Sequence, residues 1–495
     1  MTAQTASAQT ASTVDTTLAA ATAAAPVMAA AAVADRVRWL RAAADAVDAG
    51  VEDLVAAALE ETHLPEGRLR GEVARTSGQL RMFADALGTG ALLEAVIDTA
   101  DPEASPVPRP DLRRTLRPVG PVLVFAASNF PFAFSVAGGD TASALAAGSP
   151  VVVKAHPGHP RTSVLTHRRV ADALEGAGAP SGSLGLLVGT EAGVEALRDH
   201  RVKAAGFTGS VPGGLALHEV AASRPDPIPF YGELGSINPV FVTTSAVKQR
   251  GSEIAQGFVG SFTLGVGQFC TKPGLLFLPT GHGLEEALRR AGEVGSATML
   301  HPGIREGYSA GLARLRQAED VEVLVDGAET ADGVSPSLLR TRLSTFLEQP
   351  DALLEECFGP ASVIVEYDDE EELVAAAGRL EGSLTATLHA QPEDHARLGD
   401  LVAVLTDRAG RLVWNGWPTG VAVTWAMHHG GPFPSTVGSL HTSVGVTAVR
   451  RFQRPVCYQD TPEELLPEEL RDRNTLGIER RVDGRVTGDD VRSSR

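Results

Sequence analysis

The chain has 495 residues, 43% of them hydrophobic and 21% charged, which excludes a disordered or collagen-like protein and, at about 150 residues per domain, predicts two or three domains. A net charge of −18 repels phosphate backbones and argues against nucleic acid as a partner. Three cysteines cannot build a disulfide framework and fit a reducing compartment with thiols free for other work.

Residues 1–20 are rich in Thr, Ala, Ser and Gln and predict a frayed N-terminus. Residues 1–35 hold no Lys or Arg and include Asp15, so the positive region of a signal peptide is missing. The most apolar stretch, 119–153, is broken by Pro131, Gly138, Gly139, Asp140 and Pro150, so no membrane span is expected and the predicted location is cytoplasmic. Val33, Val37, Leu40, Ala44 and Val47 recur at helical spacing, and helical text continues to about residue 93. Residues 101–110 carry four prolines and read as an extended connector.

A regular alternation follows. Strands are predicted at 121–126, 150–154, 184–188, 203–207 and 227–233, and helices at 132–147, 161–177, 191–199 and 211–222. Short apolar strands alternating with helices predict a parallel, doubly wound α/β sheet, which takes ligands at the carboxyl ends of its strands. A second α/β region spans about 240–440, with strands at 274–278, 362–366, 384–389 and 411–414. Residues 461–495 are rich in charge and predict a solvated tail.

Several residues could carry chemistry, each with a plainer alternative. Cys270 lies in GQFCTKPG at 267–274, on a bend that can turn its sulfur into a cleft; at an ordinary thiol pKa only about 3% is thiolate at neutral pH, so reactivity needs a nearby base or positive charge. The alternative is a buried structural cysteine, the reading given to Cys357 and Cys457. Glu233, between Gly232 and Gly235 at a strand end, can activate water or be an exposed loop acid. Asn129, where the first strand meets its helix, can stabilise an oxyanion or cap a turn. The segment 207–214, with Gly209, Ser210 and Gly214, can hold pyrophosphate at a helix N-terminus or be Gly-rich for packing. Lys154 ends a strand and can reach a ribose or a phosphate, or simply be solvated. His156 and His159 have no third ligand, and Pro157 and Gly158 lie between them, so no metal is expected. His428 and His429 raise a Cys/His hydrolase reading, but nothing in the sequence places either ring beside Cys270.

Taken in order, SNFP at 128–131, VVVKAHP at 151–157, GFTGS at 206–210, GELG at 232–235, GQFCTKPG at 267–274 and ECFGP at 356–360 resemble the aldehyde dehydrogenase superfamily from about residue 25 to 460. The text from SNFPFAFSVAGGD to VVVKAHPGHP is most similar to the branch holding α-ketoglutarate semialdehyde (2,5-dioxopentanoate) dehydrogenases and NADP-dependent fatty aldehyde dehydrogenases. The resemblance implies a Rossmann-type cofactor domain at 21–107 and 121–235 and an α/β catalytic domain at 236–440. It also implies a small β arm for oligomerisation at 108–120 and 441–460, in a homodimer or homotetramer. It implies Cys270 as nucleophile, Asn129 as oxyanion donor and Glu233 as general base. Lys154 would contact the adenosine ribose, Ser210 with Gly209 and Gly214 the pyrophosphate, and Glu356 with Phe358 the nicotinamide ribose. Phe132, Phe134, Phe269, Trp417 and Trp425 would line the path of a small aldehyde substrate.

Many relatives place Trp where Ser128 stands. NAD-preferring members often carry an acid at the position of Pro157, so the resemblance favours NADP, with NAD also accommodated. The implied reaction is NAD(P)-dependent oxidation of an aldehyde to an acid, with 2,5-dioxopentanoate as first substrate and an aliphatic aldehyde as alternative. A CoA-acylating dehydrogenase and a non-catalytic binding protein remain as rivals, the first disfavoured by Glu233.

Overall fold

A computed structural model describes residues 3–491, with side chains from residue 13 onward. Four helices open the chain: α1 (Ala3–Ala30), α2 (Val33–Ala49), α3 (Val51–Thr62) and α4 (Glu66–Gly88). Contrary to the expected fraying, α1 buries Val14, Leu18 and Ala21 against Leu123, Val152 and Leu187 of the first sheet. These three residues fall at i, i+4 and i+7, a stripe narrow enough to be hidden among Thr and Ala. α1 ends at Ala30, and after Ala31 and Ala32 the helix expected from the spacing of Val33 to Val47 begins as α2. Strands β1 (Val96–Asp98) and β2 (Leu112–Pro118) follow, flanking the proline-rich connector.

The first parallel sheet is built from β3 (Val122–Phe125), α5 (Gly139–Ala147), β4 (Val151–Lys154), α6 (Pro160–Gly176), β5 (Leu184–Leu187), α7 (Thr190–Arg198), β6 (Ala204–Thr208), α8 (Val211–Ala222) and β7 (Phe230–Glu233). Its strand order is β5-β4-β3-β6-β7, with Val122 in register with both Val151 and Ala204. β3 and β4 are buried at every residue, as helices on both faces require. α5 is shorter than the predicted 132–147; residues 131–138 form turns, and the buried Glu72 accepts the Phe132 and Ala133 N–H groups at 2.7 and 2.9 Å.

The second sheet comprises β8 (Val240–Val242), then α9 (Thr244–Thr263), β9 (Leu275–Pro279), β10 (Glu322–Val325), a small hairpin of β11 (Glu329–Thr330) and β12 (Gly333–Val334), then β13 (Ser337–Arg342), β14 (Ala361–Tyr367), β15 (Ser383–His389) and β16 (Ala409–Trp414). Its order is β10-β13-β14-β9-β8-β15-β16, the hairpin standing apart.

The last strands, β17 (Gln453–Gln459), β18 (Arg480–Val482) and β19 (Arg485–Thr487), complete a third sheet in the order β17-β2-β1-β18-β19. This corrects the expected solvated tail: Leu466 and Leu470 are buried with Ala95 and Ile97, and Arg480 is 1% exposed. It also corrects the arm, because residues 446–452 form a turn of 3-10 helix whose Val446, Ala448, Val449 and Phe452 are buried in the core shared with α5. No helix among the described residues is long and apolar enough to cross a membrane.

Candidate active site

Asn129 follows β3, Lys154 ends β4 and Glu233 ends β7, so all three stand at the carboxyl edge of the first sheet, where such sheets take ligands. Cys270 enters from the loop between α9 and β9. In the turn before it, Gly265, Val266 and Gly267 have φ of +57°, +60° and +63°. A Cβ on Gly267 would lie 2.3 Å from the Gly359 backbone, so this glycine lets the cysteine loop press against the 356–360 loop. Val266, β-branched in the same left-handed region, is strained, which costs on the order of 1–3 kcal/mol.

A third segment was not expected at the site. The loop after β16 is stitched to the end of β7: Glu233 bridges Thr436, Leu234 N–H donates to Ser435 O at 2.8 Å, and Val437 N–H donates to Gly232 O at 3.0 Å. This brings His429 Nε2 to 2.9 Å from Glu233 Oε1 and 3.5 Å from Cys270 Sγ. Ser443 Oγ donates to Glu233 Oε2. The three groups Sγ, Nε2 and the Glu233 carboxylate lie within 4.8 Å of one another. His429 Nδ1 is buried without a partner, so the hydrogen assignment that satisfies most groups places the proton on Nε2, donating to Glu233.

The electrostatics follow. Burial pushes the Cys270 thiol well above its ordinary pKa, and the negative charges of Glu233 and Glu356 add to the push. Burial also opposes ionisation of Glu233, but the nearby His429 imidazole with its hydrogen bond, the Ser443 hydroxyl and the facing thiol hold it below its ordinary value. The resting arrangement is therefore a protonated thiol beside an ionised carboxylate. A small cavity of about 20 Å³ borders Glu233, His429, Thr442 and Ser443, enough for one water among several polar partners.

Asn129 is 7% exposed, and its amide donates to Gln268 O at 3.1 Å, two residues before the cysteine. Asn238, with φ of +49°, donates from Nδ2 to Cys270 O at 2.8 Å and to Lys272 O at 3.1 Å. Its Oδ1 accepts from Ser236 Oγ and Thr385 Oγ1 at 2.8 and 2.9 Å. Replacing Asn238 with alanine is expected to destabilise the protein by about 3 kcal/mol, since it strands buried carbonyls and removes a residue suited to that backbone. A lower denaturant midpoint together with a lower kcat checks this.

The residues suited to a dinucleotide are mixed in their disposition. Lys154 is 8% exposed, its ammonium pKa lowered by burial, and it has no hydrogen-bond or ion-pair partner among the described residues. Glu356 has a carboxylate pushed up to about 7 by burial, against the pull of Lys272. Its Oε1 is buried without a partner, and Oε2 would sit 2.4 Å from a Cβ on Gly235; such an acceptor suits a ribose hydroxyl. Phe358 is half-buried beside it. Ser210 caps α8, its hydroxyl accepting from Gly213 N–H at 3.3 Å. Cβ atoms on Gly209 and Gly214 would meet Phe207 and Leu234, so these glycines serve packing on their side-chain faces. Lys154, with an unpartnered ammonium, and Glu356, with an unpartnered carboxylate oxygen, fit the hydroxyl and phosphate groups of a nicotinamide dinucleotide.

Of the expected substrate contacts, Phe269 and Phe134 converge with Phe130, which sequence reasoning passed over: Phe130 is 5.5 Å from Phe269 and 5.3 Å from Phe134, ring to ring. Phe132 does not join them. It is 1% exposed within the core beneath α4, because the turn at 131–138 directs it inward. Trp417 packs against Phe258 and His389 at 6.0 and 4.7 Å, beneath α9. Trp425 is 56% exposed on the loop leading to His429. His156 and His159 stack at 5.6 Å; His159 bonds Ala127 O at 2.8 Å and Ser163 Oγ at 3.2 Å. Cys357 is buried, its thiol pushed up to about 11 by burial, and Cys457 is exposed.

The sequence pattern of the Aldehyde dehydrogenase family matches residues 2–454. The alpha-ketoglutaric semialdehyde dehydrogenase 2 of Azospirillum brasilense is 47% identical over 462 residues, covering 92% of this chain and 88% of its own. The alpha-ketoglutaric semialdehyde dehydrogenase of Acinetobacter baylyi is 44% identical, covering 87% and 83%. Among solved structures, aldehyde dehydrogenase 21 of Physcomitrella patens, in complex with the product succinate, superposes with a TM-score of 0.74 at 21% identity over 90% of this chain and 89% of its own. A 1-pyrroline-5-carboxylate dehydrogenase from Thermus with bound NAD gives 0.73 at 21% identity over 90% and 85%; at such identities the likeness speaks for the fold alone. A family match over residues 2–454, with relatives 47% and 44% identical over most of this chain and of their own, places this chain in the aldehyde dehydrogenase family.

Proposed function

We propose that the protein oxidises 2,5-dioxopentanoate to 2-oxoglutarate with NADP, accepting NAD less well. The observation that carries the chemistry is the meeting of Cys270 Sγ, Glu233 and His429 Nε2 within 4.8 Å. Support for the substrate comes from the two relatives at 47% and 44% identity. Support for NADP comes from Pro157, which leaves no acid near Lys154 to repel a 2′-phosphate.

Glu233, steadied by His429 and Ser443, takes the thiol proton as Cys270 attacks the aldehyde carbon and forms a thiohemiacetal. The Asn129 amide and the Cys270 N–H hold the resulting oxyanion. The bound nicotinamide supplies a hydride acceptor. Glu233 passes that proton to solvent while the thioester stands; it then orients and deprotonates the water that attacks the thioester carbon, and the departing thiolate takes the proton back as the acid is released. Lys154 and Glu356 would hold the two riboses of the cofactor, and Ser210 at the α8 N-terminus would hold its pyrophosphate. The edge strand β17 presents an unpaired side at which a second copy would extend the sheet into a dimer.

An aldehyde panel assayed with both cofactors tests this reading. The expected ranking by kcat/KM puts 2,5-dioxopentanoate above pentanal and longer alkanals, with NADP above NAD. A preference for long alkanals, which the Phe130, Phe134 and Phe269 wall would also accommodate, replaces it with the fatty-aldehyde reading.

A further inference from the structure

We propose that Arg68 and Arg75 of α4 form the closed end of the substrate pocket and clamp the carboxylate of a short aldehyde acid. This rests on the reading of Cys270 as the nucleophile.

The two arginines are seven residues apart, two helical turns, and so share one face of α4. The Arg68 guanidinium lies 5.1 Å from the Phe130 ring and 4.5 Å from the Phe269 ring. That of Arg75 lies 5.9 Å from Phe130 and 5.6 Å from Phe134. Phe130 follows the oxyanion residue Asn129 and Phe269 precedes the nucleophile, so both cations lie against rings whose backbone neighbours are the reacting groups. Gly265 leaves the room: a Cβ there would lie 2.6 Å from Arg68 Nη1.

The donors of these guanidinium groups are largely unused. Arg68 spends Nη2 on Asn129 O at 2.6 Å, but its Nε and Nη1 are buried without partners, as are Nε and Nη2 of Arg75. The adjacent carboxylate, Glu72, gives Oε1 to the Phe132 and Ala133 N–H groups and makes no hydrogen bond to either arginine. An unpaired buried donor costs about 1–3 kcal/mol, and four of them on two guanidinium groups that both approach the Phe130 ring suit a carboxylate, which accepts in pairs from a planar fork. Arg411, also near the site, is different: its Nη1 and Nη2 hold Gly420 O and Pro418 O at 3.2 and 2.5 Å. A neutral alkyl chain would leave the Arg68 and Arg75 donors unpaired, so the pocket discriminates by charge at the far end of the substrate.

The test measures kcat/KM for 2,5-dioxopentanoate and for pentanal in wild type, Arg68→Gln and Arg75→Gln, and takes their ratio. It adds calorimetric binding of 2-oxoglutarate to each protein. The expected result is a fall in the ratio of about 100-fold in either Gln variant, a smaller fall in Arg75→Lys, which keeps charge and stem but loses the fork, and weaker 2-oxoglutarate binding in step. A ratio unchanged from wild type in both Gln variants overturns the clamp while leaving the nucleophile reading intact. If wild type oxidises neither aldehyde, the nucleophile reading fails by itself, and 2-oxoglutarate binding still decides: weakened in the Gln variants it supports the clamp, equal in all three proteins it overturns it.

Discussion

Cys270→Ala is expected to lower aldehyde oxidation by at least about four orders of magnitude while leaving dinucleotide affinity within about twofold of wild type. The reason is local. The sulfur makes the covalent bond on which every later step depends, whereas the Cys270 backbone is held by Asn238 at 2.8 Å through a group the substitution does not touch. Cofactor candidates Lys154 and Glu356 stand on other segments, one at the end of β4 and one after residue 354. Fluorescence titration of the nucleotide beside a turnover assay checks both halves. Residual oxidation near wild type would transfer the chemistry elsewhere; a parallel loss of nucleotide binding would mean the substitution had disturbed the cleft.

Glu233→Gln is expected to reduce kcat by about 10²–10⁴-fold and to speed alkylation of Cys270. The two effects have opposite signs because Glu233 acts on the thiol in two ways. As a base it receives protons in turnover, which glutamine cannot do. As a negative charge beside the half-buried Cys270 it is the largest influence, after desolvation itself, holding the thiol above its ordinary pKa. With the charge gone the thiol pKa falls toward the ordinary range, so at a fixed pH of about 8 the thiolate fraction rises, roughly tenfold for each unit of fall. In wild type, the iodoacetamide rate should keep climbing through the alkaline range without a plateau near neutrality. An alkylation rate unchanged by Glu233→Gln would contradict the electrostatic coupling even if kcat fell.

The contrast between what the sequence revealed and what it concealed has a physical basis. Strands β3, β4 and β5 were visible because a parallel sheet covered on both faces needs unbroken apolar runs, and VLVF, VVVK and LGLL supply them. β8 is three residues long, β10 begins with two exposed residues, and β2 reads LRRTLRP; none has enough apolar text to stand out. The arm is harder still, since its last strands are charged and are tied into the sheet by pairing with β1.

At the site, Cys270, Glu233 and Asn129 were legible because each sits in a short motif at a turn. His429 was noticed in the sequence but could not be placed. It is 159 residues from Cys270 and 196 from Glu233, and what carries it there is the pairing of Gly232, Glu233 and Leu234 with residues 435–437. Arg68 and Arg75 were invisible for the same reason: on a helix of alternating charge they read as a solvated face, and only the fold turns that face toward Phe130 and Phe269. Phe132 shows the reverse: the resemblance puts it on the substrate path, and the turn sends it into the core.

The central claim is that Cys270 becomes acylated during turnover. Mass analysis of peptides from Glu233→Gln enzyme, quenched after mixing with NADP and 2,5-dioxopentanoate, measures it most directly. The account predicts a peptide containing Cys270 heavier by 2-oxoglutarate less one water, formed only with oxidised cofactor and absent from protein that also carries Cys270→Ala. An adduct found on Cys357 or Cys457, or steady product formation with Cys270 unmodified at every time point, would contradict it.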